Sequence, residues 1–317
     1  MKRTISALAL LGFLTACGGD GTNPFDNNGD TDTDGDTTTD GAIPDSLKAD
    51  VESISYNPGD NTITVTGLTQ DSSPIASVYT RNAAFDTAGY AAYTVQDDAL
   101  FRHGTALVKQ SGNSGSVRAG VVATGGQFNR IYHGAYYERS GGFVKPTSGH
   151  VRYAGTYAGL TNLPTDTGLI TPNPNIDSAL LPGQAVATQG LAVLNVDFSD
   201  NSLEGAIVDR QIINSTFTFT GTPDLPSIVL VTGAIADDGT FFGNEVELDG
   251  VVGTDIGDYG GIFGGTDAES VAGVVNLEQF HDDFDNEVEV GVFVLDQCGT
   301  ADGATTGDAG ELCNPNN

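Results

Sequence analysis

The chain has 317 residues, with 42 Asp or Glu against 12 Lys or Arg, so its formal net charge is -30. Such a charge excludes binding to nucleic-acid phosphates and to anionic membrane surfaces, because both require clustered Lys and Arg. The length allows one or two domains with a substantial core, without the disulfides or metals that small scaffolds need.

The first residues have the pattern of an export signal. A basic start precedes an apolar run from residue 5 to 14 that is too short to span a bilayer. Leu14-Thr15-Ala16-Cys17 resembles the lipobox of bacterial lipoproteins, which implies that residues 1–16 are a signal peptide and that Cys17 carries the lipid. Gly18 follows in place of an acidic residue, which in that system predicts an outer-membrane anchor on the periplasmic or cell-surface face. A plain secretory signal is the alternative.

Residues 17–48 predict a disordered acidic linker. The stretch consists largely of Asp, Gly, Thr and Asn, and it has too few apolar side chains to form a core. Its alternating aspartates resemble a calcium loop, but Gly41 stands where the bidentate glutamate is required. We therefore expect a solvated spacer at this position.

From residue 49 onward, short alternating segments are separated by Gly, Asn, Asp and Pro, which predicts an all-β protein. In 241–249, the alternation places Glu245 and Glu247 opposite Phe242 and Val246. The run 287–290 repeats it, with Glu287 and Glu289 on the outer face. Carboxylates on an outward face predict a water-soluble sheet rather than a membrane barrel.

Basic residues are concentrated before residue 153, and the densest Tyr and Arg segment is 128–139. Tyr and Arg supply many binding hot spots. We take six residues of this segment as candidate ligand-binding residues: Arg130, Tyr132, His133, Tyr136, Tyr137 and Arg139. Ordinary strand residues paired with the abundant carboxylates are the alternative interpretation.

Several motifs after residue 150 resemble one known family. They are Tyr153-Ala154-Gly155-Thr156-Tyr157-Ala158-Gly159, then Leu194-Asn195-Val196-Asp197-Phe198, and finally 260–274, a glycine-rich strand with Phe263-Gly264 followed by Ala268-Glu269-Ser270-Val271-Ala272-Gly273. These are similar to the transferrin-binding protein B-like barrel of Gram-negative surface lipoproteins.

The resemblance implies a soluble eight-stranded antiparallel barrel at 148–297, preceded by a smaller β-rich, handle-like domain at 49–147. It also implies a protein that acts by binding. Family members bind host iron carriers, complement regulators or haem-carrying proteins. None of these ligands transfers to this chain, because the matching motifs are structural.

Two cysteines remain after Cys17. Cys298 and Cys313 form an even pair in an oxidising compartment, which predicts a disulfide that closes the tail 298–317. Two free thiols are the alternative.

The sequence contains none of the common catalytic motifs, so we expect no enzyme activity, no metal and no cofactor. Three minority hypotheses stay open. One is a two-carboxylate hydrolase, another a metal site in 281–287, and the third a haem or iron site, for which strand alternation pairs His133 with Tyr137.

The resulting hypothesis is an outer-membrane-anchored lipoprotein that binds an unknown protein or solute ligand. A structural envelope lipoprotein without a dedicated ligand is the alternative. A surface-export partner is compatible with either.

Overall fold

The computed structural model describes residues 43–57, 59–67, 75–98, 100–112, 115–126, 130–163, 182–213, 225–281, 284–300, 303 and 307–314. The predicted signal peptide, Cys17, the calcium-like run and most of the predicted linker lie outside these ranges. No helix in the described ranges is long and apolar enough to cross a membrane.

The first sheet is an antiparallel meander of seven strands in chain order. Its strands are β1 (Val51–Asn57), β2 (Thr62–Gly67), β3 (Ala76–Arg81), β4 (Ala91–Val95), β5 (Gly104–Gln110), β6 (Val117–Thr124) and β7 (His133–Arg139). The sheet curls until its two edges approach each other, and the Asp50 amide donates to the His133 carbonyl at 3.0 Å. A short helix, α1 (Asp45–Lys48), precedes β1.

The second sheet is a closed barrel. Its strands are β8 (His150–Thr161), β9 (Val186–Asp197), β10 (Ser202–Ile213), β11 (Ile228–Ile235), β12 (Thr240–Gly243), β13 (Val246–Leu248), β14 (Gly257–Gly264), β15 (Ser270–Glu278) and β16 (Val288–Gln297). Pairing of β10 with β11 closes the ring, and β12 and β13 are two short pieces that both pair with β11. The predictions of an all-β fold and of an eight-stranded antiparallel barrel are therefore confirmed.

Alternation decides which side chains fill the barrel. Along β9, buried and half-buried residues alternate without exception, and Ala192, Leu194 and Val196 point inward as expected. Glycines on neighbouring strands make room for large rings: a Cβ on Gly291 would overlap the Tyr157 ring, and one on Gly273 would overlap Phe293. This is the physical reason for the glycine-rich strands of a small barrel.

The predicted orientation of Phe242 is wrong. Phe241 is buried, whereas Phe242 is 41% exposed. Two residues between β12 and β13 interrupt the strand, so buried positions change from odd numbers before the break to even numbers from Val246 onward. The alternation therefore resumes one residue later than in a continuous strand, and a shift of one residue transfers side chains to the other face of a sheet.

The two sheets share a hydrophobic core. Leu107 and Val121 of the first sheet pack in one cluster with Leu160, Val274 and Val292 on the outside of the barrel. The strands involved are consequently buried on both faces, and β15 is buried at its first six positions. Leu47 of α1 is also fully buried in this cluster, although the sequence assigns it to the linker.

Polar side chains bind the two sheets together across this core. The Tyr90 hydroxyl donates to the Thr156 carbonyl at 3.0 Å and accepts from the Val294 amide at 3.0 Å. The Lys109 ammonium donates to the Thr156 hydroxyl at 2.9 Å. The first sheet is thus fixed to the barrel by hydrogen bonds in which one partner belongs to the first part of the chain and the other to the barrel.

Candidate functional site

The barrel interior is filled with aromatic side chains at the end where β8 begins. The Phe263 ring lies 5.5 Å from the Tyr153 ring, 5.5 Å from Phe198 and 5.4 Å from Phe241, measured between centroids. All four rings are buried. The interior of an eight-stranded barrel is just wide enough for side chains to fill it, so these rings leave no space for a ligand at this end of the described barrel.

A charged pair lies inside the same barrel, on its β10 and β16 side. The Arg210 and Glu289 side chains are both fully buried, and Arg210 Nη2 lies 2.9 Å from Glu289 Oε2. The Tyr157 hydroxyl donates to Glu289 Oε1 at 2.6 Å, and Arg210 Nη1 donates to the Pro226 carbonyl at 2.7 Å. Burial raises the pKa of Tyr157 well above its usual value, and Glu289 raises it further.

The predicted outward orientation of Glu287 and Glu289 is therefore wrong. Both carboxylates are buried, and Glu287 Oε1 accepts from the His281 amide at 2.7 Å. The reason is that the outer face of β16 packs against the first sheet through Val290 and Val292, so Glu289 on the opposite face points into the barrel.

Sequence reasoning also missed Arg210 as an interior residue. A register shift between Val208 and Gln211 forms a bulge, and Asp209 there adopts the left-handed conformation, with φ at 52°. Bulges re-aim side chains, and this one directs Arg210 inward. A signal was present in the sequence, because Arg210 is the only Lys or Arg after Arg152.

The candidate ligand-binding segment lies on β7 and just before it. Tyr137 is buried in the core between the sheets. Arg139 is also buried, and its Nη1 donates to the Phe263 carbonyl at 2.9 Å and to the Asp238 carbonyl at 2.8 Å. Both residues hold the sheets together, which removes them from the exposed surface.

The other four candidates lie on different sides of the first sheet. Tyr132 is buried, with the Arg102 guanidinium 4.6 Å from its ring centroid, and Tyr136 packs against the core of the first sheet. His133 is half-buried, and burial lowers its pKa against the opposing effect of nearby carboxylates. Arg130 is exposed. The structure therefore brings no more than parts of the segment to the surface, and its ligand-binding role stays a prediction.

A groove of about 640 Å³ lies on the outside of the barrel. Its floor consists of outward side chains of β8, β9 and β10 in register, with Arg152 beside Asn195 and Asn195 beside Glu204. The polar residues of the lining are His150, Arg152, Asn195, Asp197, Ser202, Glu204, Thr232 and Gln297. The volume is within the range of small-ligand sites.

The tail forms one wall of this groove. Cys298 and Cys313 are joined by the expected disulfide, with their Cα atoms 5.5 Å apart, and the helix α2 (Gly307–Leu312) lies between them. Arg152 Nη1 donates to the carbonyls of Leu312 at 3.1 Å and Asn314 at 3.2 Å. The disulfide and Arg152 together fix the tail against β8.

Some polar groups in the groove are already engaged and others are available. Arg152 Nε donates to Asn195 Oδ1 at 2.8 Å, and hydrogen bonds from Ser199 lower the pKa of Asp197, with a further contribution from His150. Within the described part of the chain, the Glu204 carboxylate and the Thr232 hydroxyl make no hydrogen bond or ion pair. They are the lining groups best placed to bind a ligand.

The metal and haem hypotheses concern residues that the structure keeps apart or does not describe. No group of three His, Cys, Asp or Glu side chains in the described ranges could hold a metal ion. Of the 281–287 run, residues 282 and 283 lie outside those ranges, and the His281 ring contacts Phe284 at 5.6 Å. Tyr137, the predicted haem partner of His133, is in the core.

No family model and no curated protein matches this chain. Among solved structures, it is similar to intact Ap-TbpB, with 13% identity, 78% of this chain and 55% of that chain covered and a TM-score of 0.36. A transferrin binding protein B double mutant from Haemophilus parasuis Hp5 is 14% identical over 78% of this chain and 53% of that chain, with a TM-score of 0.37. The isotype 1 transferrin binding protein B from serogroup B Neisseria meningitidis is 14% identical over 78% of this chain and 52% of that chain, with a TM-score of 0.32. The chain spans about half the length of these structures.

Proposed function

We propose that the chain is a non-catalytic lipoprotein, anchored to the outer membrane through Cys17, that binds a protein or solute ligand. The observation that carries this proposal is the polar groove of about 640 Å³ beside a barrel whose described interior is filled. Aromatic rings occupy the interior beside the groove, which favours the outer surface as the place where a ligand binds.

The chemistry of the groove favours a polar ligand. Glu204 and Asp197 supply acceptors, and the Asn195 amide and the Thr232 hydroxyl supply donors. The tail adds a wall that is fixed by a disulfide, so the groove is largely formed before a ligand arrives. Preformed sites lose less conformational entropy on binding.

A capture experiment with a groove-filling variant tests this proposal. The chain from residue 18 onward, without the signal peptide and the lipidated cysteine, is immobilised and exposed to host or environmental extracts. The eluted material is identified by mass spectrometry. Thr232→Trp places a large side chain in the groove, and Thr80→Trp, at an exposed position on β3, is the matched control. We expect a saturable ligand that the wild type and Thr80→Trp retain and Thr232→Trp loses.

Other outcomes separate the alternatives. Retention by Thr232→Trp together with loss in Arg130→Ala or Tyr136→Ala would place the ligand on the β7 segment and overturn the groove assignment. Repeated recovery of nothing specific would favour the structural envelope role, in which the acidic surface supplies hydration and spacing.

A further inference from the structure

Exposed apolar side chains are concentrated at one end of the molecule, here called the tether end, where the described chain begins at residue 43. At this end, the Asn276 side chain donates to the Ser46 carbonyl at 3.0 Å and so fixes α1 to the barrel. Asn276 pairs with Val290, which pairs with Leu160, ten residues along β8 from His150 in the groove. The tether end and the groove are therefore at opposite ends of the barrel.

Five of the eight exposed large hydrophobic residues in the described ranges belong to loops or strand starts at the tether end: Ile75, Leu100, Phe101, Val251 and Val252. Leu100 and Phe101 lie in the turn between β4 and β5, and Val251 and Val252 lie in the turn between β13 and β14. Exposed apolar groups that cluster in this way mark an interaction surface.

Hydrogen bonds hold the β4–β5 turn in a shape that presents its apolar tip. The Leu100 amide donates to Asp98 Oδ1 at 3.0 Å, and the Phe101 amide donates to the Asp98 carbonyl at 2.8 Å. The Gln96 side chain donates to the Phe101 carbonyl at 3.0 Å. Leu100 and Phe101 remain 45% and 59% exposed on this fixed turn.

Cationic and aromatic side chains lie directly behind this tip. Arg102 stacks over the Tyr132 ring and donates through Nη1 to the Arg130 carbonyl at 3.3 Å, and Arg130 is exposed. Apolar tips backed by Arg and Tyr suit the boundary between headgroups and acyl chains, because guanidinium groups bind phosphates while the apolar groups enter the hydrocarbon.

The β13–β14 turn is a second fixed tip. Gly250 and Gly253 adopt left-handed conformations on either side of the two valines, and the Val251 amide donates to the Leu248 carbonyl at 3.0 Å. Val252 is 88% exposed, the highest value among the large hydrophobic residues of the described chain.

We propose that these two turns rest in the headgroup region of the bilayer that holds the lipid of Cys17, so that the groove faces away from the membrane. This inference depends on the lipid anchor proposed above. The described chain begins at this same end, 26 positions after Cys17, so the lipid on Cys17 is joined to the folded part of the molecule here. Tethering raises the local concentration of the turns, so a weak surface affinity suffices. The net charge of -30 selects a zwitterionic rather than an anionic surface.

The absence of Trp from the chain provides a test without background fluorescence. Single Phe101→Trp and Val252→Trp variants report on the two turns. Val144→Trp is the matched control, because Val144 is 63% exposed in the segment between β7 and β8, at the opposite end. Each full-length lipidated variant is placed in phosphatidylcholine and phosphatidylethanolamine vesicles that contain a brominated lipid quencher.

We expect a blue shift and about two-fold quenching at positions 101 and 252, and neither at 144. Equal quenching at all three positions, or none at any, would overturn the proposed docking and leave the tether end as a surface for a protein partner. Flotation of the protein with the vesicles reports on the anchor separately. A chain that does not float overturns the anchor and the docking together, whereas a floating chain without quenching overturns the docking alone.

Discussion

Arg210 and Glu289 illustrate at the residue scale how a small barrel accommodates charge. Neither side chain is exposed, and each has a second partner, the Pro226 carbonyl for Arg210 and the Tyr157 hydroxyl for Glu289, which compensates part of the hydration that burial removes. Removing one member leaves the other as an unpaired buried charge.

We therefore expect Glu289→Gln or Arg210→Met alone to lower the free energy of unfolding by about 3–5 kcal/mol. The double variant should lose less than the sum of the two, because no unpaired charge remains. Urea unfolding of the wild type, the two single variants and the double variant measures this coupling. Additive losses would show that the two side chains do not interact in the folded protein.

Lys109 gives the folded state a dependence on alkaline pH. Burial lowers its pKa to about 8, against the opposing effect of Asp296. The unfolded chain keeps the ordinary pKa of about 10.4 and so binds more protons at this site from about pH 8 upward, which means that stability rises with pH at first. Above about pH 9 the trend reverses, because tyrosines of the unfolded chain begin to ionise while burial raises the pKa of seven described tyrosines, Tyr90 and Tyr153 among them, in the folded state.

We expect Lys109 to contribute an increase of roughly 1 kcal/mol in the free energy of unfolding from pH 8 to 9 in the wild type. Lys109→Met should abolish most of this increase while it retains the apolar stem. Guanidinium unfolding at several pH values compares the two chains. An identical slope in both would assign the pH dependence to other groups.

At the element scale, the glycines of the barrel strands are required by the rings beside them. A methyl group on Gly291 of β16 would overlap the Tyr157 ring, which is itself fixed by its bond to Glu289. Gly59 lies in the β1–β2 turn, and no atom lies within 4 Å of the position its Cβ would take.

Gly291→Ala should lower stability by about 1–3 kcal/mol through overpacking. Gly59→Ala, the matched control, should stay within about 0.5 kcal/mol of the wild type. Thermal unfolding followed by circular dichroism distinguishes them. Equal melting temperatures for both variants would mean that β16 can move away from Tyr157 at little cost.

The tail should behave as an attachment to a barrel that is stable without it. Its disulfide closes a loop with a sequence separation of 15, for which the chain-entropy model gives about 3 kcal/mol. We expect a Cys298→Ser and Cys313→Ser double variant to exchange amide hydrogens faster in α2, while the barrel strands keep their protection. Faster exchange throughout β8 and β16 would instead make the tail part of the main folding unit.

The strands also show how far sequence patterns predict a fold. The β9 pattern predicts the inward residues correctly, because the strand is regular and has one dry face. The pattern fails at Phe242, where a break changes the alternation. It also fails at Glu289, because the first sheet covers the face of β16 that carries Val290 and Val292, and Glu289 points into the barrel instead of to solvent. Alternation identifies two faces, but it cannot tell which face another part of the chain will cover.

At the scale of the whole molecule, the first sheet and the barrel are joined through a common core. This contact is why Tyr137 and Arg139 are buried, and no local signal in the segment 128–139 distinguishes an interface from a binding surface. The groove was equally hidden from sequence reasoning, since its floor combines alternate residues of three strands with a tail from the end of the chain. The disulfide could be predicted from the sequence, because two cysteines remain after Cys17 and an even number of cysteines is a property of composition alone.

We propose that the molecule is polar, with the lipid anchor and two apolar turns at one end and the ligand groove at the other. The measurement that tests it most directly is mass spectrometry of the N-terminal peptide of the chain purified from fractionated cell envelopes. We predict a peptide that begins at Cys17, carries a thioether-linked lipid and is recovered with the outer membrane. A chain with an unmodified Cys17 thiol in the soluble periplasmic fraction would contradict it.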